Sequence, residues 1–358
     1  MLGQEEENRA AEGRAGVTTA LVTGGGGFIG TAIVRGLLAR GWMVRSLARG
    51  DYPELRALGA ETVRGDVASE RAVSEALRGC DVVFHTAAKA GVWGAAEDYR
   101  LANVEGTRNV IAGCRKHGVG RLVHTSSPSV VFDGSDQEGV DESAPYPAPE
   151  AFLADYPRTK AEAERMVLAA NGPGLKTVAL RPHLVWGPGD PHLVPRIVER
   201  ARAGQLRLVG DPRATEGKPR KVDSTYIDNA AHAHLLAADA LATPEYRCAG
   251  KAYFISNGDP TPIADLINRI LAAAHLPPVT RKVSPGLAYA AGAVLETVYR
   301  LFGARSEPRM TRFVARQLAT AHWFDLGAAK RDLGYTPQVS FEEGMRRLEA
   351  SLVGGKAP

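Results

Sequence analysis

Cysteine is scarce: Cys80, Cys114 and Cys248 are the only three in 358 residues. They are far apart, odd in number and form no C-x-x-C pair. That argues against a structural zinc site or a disulfide framework and fits a reducing cytoplasm. No uncharged run reaches the roughly 20 apolar residues that a bilayer span needs. Behind Glu5, Glu6 and Glu7 there is no apolar stretch of the kind a secretory signal carries, so residues 1–16 read as a flexible extension. A dominant charge is also missing. The net charge of +4 is too small to point to nucleic acid. Trp93, Trp186 and Trp323 lack the basic interleaving of a base-stacking platform and read as packing groups. What remains is ordinary for a globular enzyme: 44% hydrophobic and 23% charged residues exclude a disordered regulator and a collagen-like chain.

Periodicity supplies the organisation. Short β-branched or apolar runs predict strands over 17–22, 43–47, 61–64, 81–85, 121–125 and 176–180. Helical spacing lies between them, over 28–40 (closed by Gly41), 98–117 and 150–170. Alternation of this kind predicts an α/β fold, a doubly wound parallel Rossmann sheet. After Arg181 turn residues cluster at 187–191 and 210–219, and helices dominate, with short strands near 205–209 and 252–255. The division expected is a dinucleotide-binding domain over 17–185, to which 222–249 returns. A smaller, mostly helical cap is expected from 186–221 and 250–358.

Glycine is plentiful and placed. Gly24, Gly27 and Gly30 directly follow the first strand and open the first helix. The first permits a tight turn, the second lets a pyrophosphate approach the backbone, and the third lets helix and strand pack closely. Free N–H groups at the helix start then bind the anion. The second strand ends Ser46-Leu47-Ala48-Arg49 without the acidic residue that NAD sites usually place there, and Asp51 comes late. Arg49 is positioned for a 2′-phosphate, so the reading is NADP(H). Asp66, after the third strand, is the candidate for the adenine edge.

Tyr156 and Lys160 are four apart in a helical segment and share one face. A free phenol titrates near 10, and a neighbouring ammonium lowers it toward the range useful for acid–base work. The pair opens the helix after the strand that ends His124-Thr125-Ser126-Ser127, so all face the crevice at the carboxyl ends of the sheet. Ser127 can hydrogen-bond a reacting carbonyl oxygen; Ser126 is the fallback. His232 and His234, two apart on a helix, face different ways and have no third ligand near in sequence, so no metal is expected.

These motifs, with His85-Thr86-Ala87-Ala88, residues 103–110 (NVEGTRNV) and Arg181-Pro182, resemble the extended short-chain dehydrogenase/reductase family over nearly all of 17–352. Residues 89–94 (KAGVWG), 127–130 (SPSV), 181–190 (RPHLVWGPGD), 221–229 (KVDSTYIDN), 252–258 (AYFISNG) and 310–313 (MTRF) resemble its 3β-hydroxysteroid dehydrogenase-like branch. Within it they are most similar to the 2-alkyl-3-oxoalkanoate reductases of bacterial long-chain olefin biosynthesis. The resemblance implies NADPH-dependent reduction of a 2-alkyl-3-ketoacid to the 2-alkyl-3-hydroxyacid, with Ser127, Tyr156 and Lys160 catalytic. It implies cofactor contacts from Gly24, Gly27, Phe28, Ile29, Gly30, Arg49, Asp66, Val67, Ala87, Ala88, Lys160 and Pro182. Olefin-pathway enzymes are implied partners, and a homodimer through 98–117 and 150–170 is typical of the family. The long, charged loop 211–220 and the N-terminal extension depart from the family pattern. Rival readings are a 3β-hydroxysteroid or sterol-carboxylate dehydrogenase, a nucleotide-sugar epimerase and a non-catalytic NADP-binding subunit.

The apolar stretch 287–302 stays open between a buried cap helix and a lining or amphipathic surface for lipid-like chains, with peripheral membrane contact. Lys89, His183 and Arg196 are candidates for the substrate carboxylate.

Overall fold

The computed structural model describes residues 16–210, 220–304 and 306–354. The N-terminal extension up to residue 15 and the loop residues 211–219 lie outside the described residues. Seven parallel strands form the main sheet: β1 (Thr19–Thr23), β2 (Met43–Ala48), β3 (Glu61–Arg64), β4 (Val82–His85), β5 (Arg121–Thr125), β6 (Lys176–Pro182) and β7 (Lys251–Ile255). Their order is β7-β6-β5-β4-β1-β2-β3, the doubly wound arrangement the alternating pattern predicts.

Both faces of this sheet are covered. On β1, Ala20 and Val22 join the hydrophobic cluster of one face, whereas Leu21 joins that of the other. That is the period-two alternation of a strand buried on both sides. One face carries α1 (Phe28–Ala39) and α2 (Ile227–Ala240), which pack on each other through Gly36 and Leu235. The opposite face carries helices Gly106–His117 and Asp155–Ala169, called α3 and α4. Cys80, Cys114 and Cys248 are buried and free.

Several boundaries differ from the expected ones for local reasons. The first strand begins at Thr19, where the backbone N–H donates to Asp81 Oδ2 at 2.7 Å; Val17 is exposed. Asp81, read as a strand residue, serves as that acceptor, and β4 starts at Val82. The helix expected over 98–117 is interrupted by a π-helical turn, Arg100–Glu105, before α3. The helix expected from 150 starts at Asp155, which places Pro157 in the first turn, where its missing N–H costs nothing. Residues 252–255, read as a cap strand, belong to β7 at the edge of the main sheet, in parallel register with β6.

The helical remainder has its own core: Trp186, Ile197, Leu266, Ile270, Phe341 and Met345 pack together. Phe28 and Ile29, at the start of α1, pack against this cluster as well, so the glycine loop and the cap share one wall. A small sheet runs Thr261–Pro262, Lys221–Val222, His322–Phe324, Gln137–Val140 and ties the region after β5 to the cap.

Candidate active site

The glycine loop is held by backbone contacts that leave no room for side chains. Gly24 has φ +71, and a Cβ there would meet the Ala87 backbone at 2.9 Å; at Gly30 it would meet the Gly24 carbonyl oxygen at 2.1 Å. Gly24 N–H donates to Leu47 O at 2.7 Å and so pins the loop to β2. Gly27 is the N-cap of α1 and no side chain among the described residues caps it, so the first N–H groups of the helix stay available. These features fit a dinucleotide pyrophosphate. Tyr52, which sequence reasoning missed, lies across the loop: a Cβ at Gly26 would fall 2.2 Å from its ring. Its only signal was an aromatic placed shortly after Arg49.

At the end of β2 Arg49 is exposed and has no carboxylate partner among the described residues. Asp51 is engaged by Arg56, whose guanidinium holds that carboxyl below its usual range. Asp66 is exposed and accepts from Ala68 N–H at 2.9 Å, while Val67 is buried against Gly106. Ala87 packs on the glycine loop, Ala88 is exposed, and Pro182 is buried opposite Ile255.

Tyr156 and Lys160 occupy the first two turns of α4. Burial raises the Tyr156 phenol, and a hydrogen bond with Ser127 opposes the rise. Ser127 caps the 3-10 turn Pro128–Val131 and its Oγ lies 2.9 Å from Ser129 Oγ. Ser126 is buried, its N–H donating to Leu180 O at 2.6 Å. Thus Ser127 and Tyr156 are brought together. Lys160 Nζ donates to Thr125 O at 2.5 Å and lies 3.2 Å from His124 Nε2. Burial pushes its ammonium down to about 8, against the pull of Glu164.

Several supporting residues carried no sequence signal of their own. His124 is buried and held neutral by desolvation and by Lys160. If Nε2 accepts from the ammonium, Nδ1 carries the proton; that atom has no hydrogen-bond partner among the described residues. Asn103, in the π-helical turn, accepts from Lys89 N at 2.7 Å and donates to Thr159 Oγ1 at 3.0 Å. It thereby ties the loop after β4 to the residue beside Lys160, an instance of a π turn serving a functional region. The buried Arg181–Glu164 pair, 2.7 Å, anchors β6 to α4.

The carboxylate candidates have other partners. Lys89 pairs with Asp98 at 3.2 Å and lies over the Tyr99 ring. Arg196 pairs with Glu307 at 3.0 Å. His183 is buried, with Nε2 2.9 Å from His322 Nδ1, and His322 Nε2 lies 2.7 Å from Gln317 O. Since a carbonyl only accepts, His322 is protonated on Nε2 and His183 donates to its Nδ1. His234 is buried against Thr125 Oγ1 and Ala230 O, whereas His232 lies by the Tyr335 ring.

Beyond His322 opens a cavity of about 400 Å³. Leu184, Ile197, Leu266, Ile267, Met310 and Val314 line it, with Arg196, Arg200, Arg207 and Arg309 among its walls. Helix α5 (Pro285–Leu301) contributes Leu287, Ala288 and Ala291. Of the two readings left open for 287–302, the fully buried cap helix does not hold, because the outer stripe of the helix is exposed.

A doubly wound sheet whose glycine loop, Ser127, Tyr156 and Lys160 meet at its carboxyl edge defines an oxidoreductase of the extended short-chain dehydrogenase/reductase type. The chain belongs to the 3-beta hydroxysteroid dehydrogenase/isomerase family, whose sequence profile matches residues 21–281. It is 55% identical to the 2-alkyl-3-oxoalkanoate reductase of Stenotrophomonas maltophilia (strain K279a), over 92% of this chain and 98% of that one. It is 53% identical to the 2-alkyl-3-oxoalkanoate reductase of Shewanella oneidensis, over 94% and 87%. Its fold is similar to that of dTDP-glucose 4,6-dehydratase from Streptomyces venezuelae, solved with NAD: TM-score 0.71, 26% identity, 94% of this chain and 97% of that chain. Among the described residues no helix is long and apolar enough to cross a membrane.

Proposed function

We propose that this chain reduces a long-chain 2-alkyl-3-ketoalkanoic acid to the 2-alkyl-3-hydroxyalkanoic acid with NADPH. The observation that carries the reading is the Ser127–Tyr156 contact in a chain that also holds an apolar cavity, lined in part by His322, the hydrogen-bond partner of His183. Such a cavity suits alkyl chains, which gain roughly 0.8 kcal/mol per buried methylene. The two relatives named 2-alkyl-3-oxoalkanoate reductase support the same reading.

When bound, NADPH supplies the hydride that the ketone carbon accepts. Gly24, Gly27, Phe28, Ile29 and Gly30 would hold its pyrophosphate on the free N–H groups of α1. Arg49 would hold the 2′-phosphate, Asp66 and Val67 the adenine, and Ala87, Ala88, Lys160 and Pro182 the nicotinamide half. Asp51, neutralised by Arg56, presents little repulsion to a 2′-phosphate, which favours NADP(H) over NAD(H).

Tyr156 gives its phenolic proton to the ketone oxygen, and Ser127 hydrogen-bonds that oxygen. Burial keeps the phenol protonated near neutrality, the form a reduction needs. Lys160 spends two donors on Thr125 O and His124 and keeps a third for a ribose hydroxyl. In this reading the product passes to enzymes that close a β-lactone and release an alkene.

The test runs the reaction backwards. Purified protein receives a long-chain 2-alkyl-3-hydroxyacid or, separately, a 3β-hydroxysterol, each with NADP⁺ or NAD⁺, and reduced nicotinamide is followed by absorbance. Turnover is expected with NADP⁺, about tenfold or more above NAD⁺, the worth of one charge-assisted contact. Turnover only on a 3β-hydroxysterol would overturn the reading.

A further inference from the structure

The outer face of α5 is apolar and uncovered by any described residue. Leu287, Val294, Val298 and Leu301 recur at helical spacing and form one stripe, which Phe302 extends. Leu287 and Val294 are 63% exposed, Leu301 78% and Phe302 83%. Ala290, Ala291 and Thr297 fill the stripe and are exposed too. Single exposed apolar side chains are commonplace, but contiguous ones mark an interaction site. Here five of the ten large apolar side chains exposed among the described residues lie in this one stripe.

The charges beside the stripe are of one sign. Glu296, the one acid on α5, is buried and accepts from Arg312 Nε at 2.9 Å. Arg281 and Lys282, just before the helix, and Arg300, at its end, are exposed and have no carboxylate partner among the described residues. An apolar stripe with cations at both ends suits an anionic interface. It suits a second copy of the chain poorly, since a two-fold contact through this face brings the cations of both copies together. At 17 residues the helix is short for a span and long enough to lie along a surface. The face is also continuous with the cavity, because Leu287, Ala288 and Ala291 line the cavity beside Arg200 and Arg309.

We propose that α5 lies in the surface of an anionic phospholipid bilayer, with its stripe among the acyl chains and its flanking cations at the headgroups. Long alkyl chains then pass from the lipid past Leu287 and Ala291 into the cavity. The passage rests on the keto-acid reading; the membrane contact rests only on the face itself.

The full chain is sedimented with vesicles of phosphatidylcholine alone and of equal phosphatidylcholine and phosphatidylglycerol. Most of the protein should pellet with the anionic vesicles, and less with the neutral ones. The exposed-site variant V294S/L301S/F302S should bind about tenfold or more weakly, since three inserted side chains are lost. Its turnover of a short-chain, water-soluble hydroxyacid should stay that of the parent. A parent protein that stays in the supernatant with both vesicles overturns the proposal. So does a variant that pellets like the parent, or a parent dimer that the variant splits without any vesicle binding. A protein that pellets as expected yet turns over no hydroxyacid supports the surface and overturns the keto-acid reading alone.

Discussion

Around Lys160 the protein is built from directed polar contacts, and around the cavity it is built from apolar area. Lys160 is fixed by a carbonyl and an imidazole, and Asn103 locks the neighbouring Thr159 to the loop after β4. In the cavity Leu184, Ile197, Leu266 and Met310 offer surface without direction. The difference teaches how each region should fail. A site that works through single atoms loses nearly everything when one atom is removed. A site that works through area loses affinity in proportion to what is displaced.

The largest effect should come from Tyr156→Phe, which removes one oxygen. Turnover should fall about a thousandfold, within the range for losing a positioned acid. NADPH affinity, read by quenching of protein fluorescence, should change little. A variant with near-normal turnover would erase the contrast between the two regions. The next largest is Arg49→Ala. Loss of a charge-assisted contact should weaken NADPH about tenfold or more and leave NADH nearly unchanged. Equal weakening of both would mean that Arg49 does not read the 2′-phosphate.

The same contrast explains what could be read from sequence. The glycine loop was legible because Gly24 and Gly30 answer constraints that only glycine meets: a positive φ and a 2.1 Å approach. Tyr156 and Lys160 were legible because four residues make one helical turn. His124 was invisible because its role depends on the ammonium brought to it from another element. Asn103 was quoted only as part of a motif; its function appears once the π-helical turn aims it at Thr159. The strand 252–255 reads as part of the cap because a short apolar run does not announce its partner, and β6 lies about 70 residues earlier. The helix 287–302 was ambiguous because composition alone does not tell a buried apolar face from an exposed one.

A graded effect is expected in the cavity. Ala291 is exposed yet lines the wall, so Ala291→Trp adds bulk at the mouth with little strain on the core. Displacing two methylenes of a bound chain costs about 1.6 kcal/mol, or roughly fifteenfold in KM for the longest substrates. Short-chain substrates should be almost unaffected, and kcat should hold. An equal rise for all chain lengths would place the alkyl group elsewhere.

The smallest effect isolates the buried ammonium. Lys160 ionises near 8 in the folded protein, against an ordinary value of 10.5, because burial disfavours its charge. Between those values the unfolded chain binds more protons than the folded one, so this group adds stability as pH rises. Below about 8 the charge is buried in full and the penalty is complete; above about 10.5 both states are neutral and the penalty is gone. Lys160→Met removes the titration, and the contacts it leaves unmade at Thr125 and His124 do not titrate in that window, His124 being neutral. The melting temperature of the parent minus that of the variant should therefore climb between pH 8 and pH 10.5. The expected climb is a few degrees, corresponding to about 1–3 kcal/mol. Parallel curves would mean that the ammonium is as well solvated in the fold as in water, and the polar region would then owe its order to Asn103 and the buried Arg181–Glu164 pair instead.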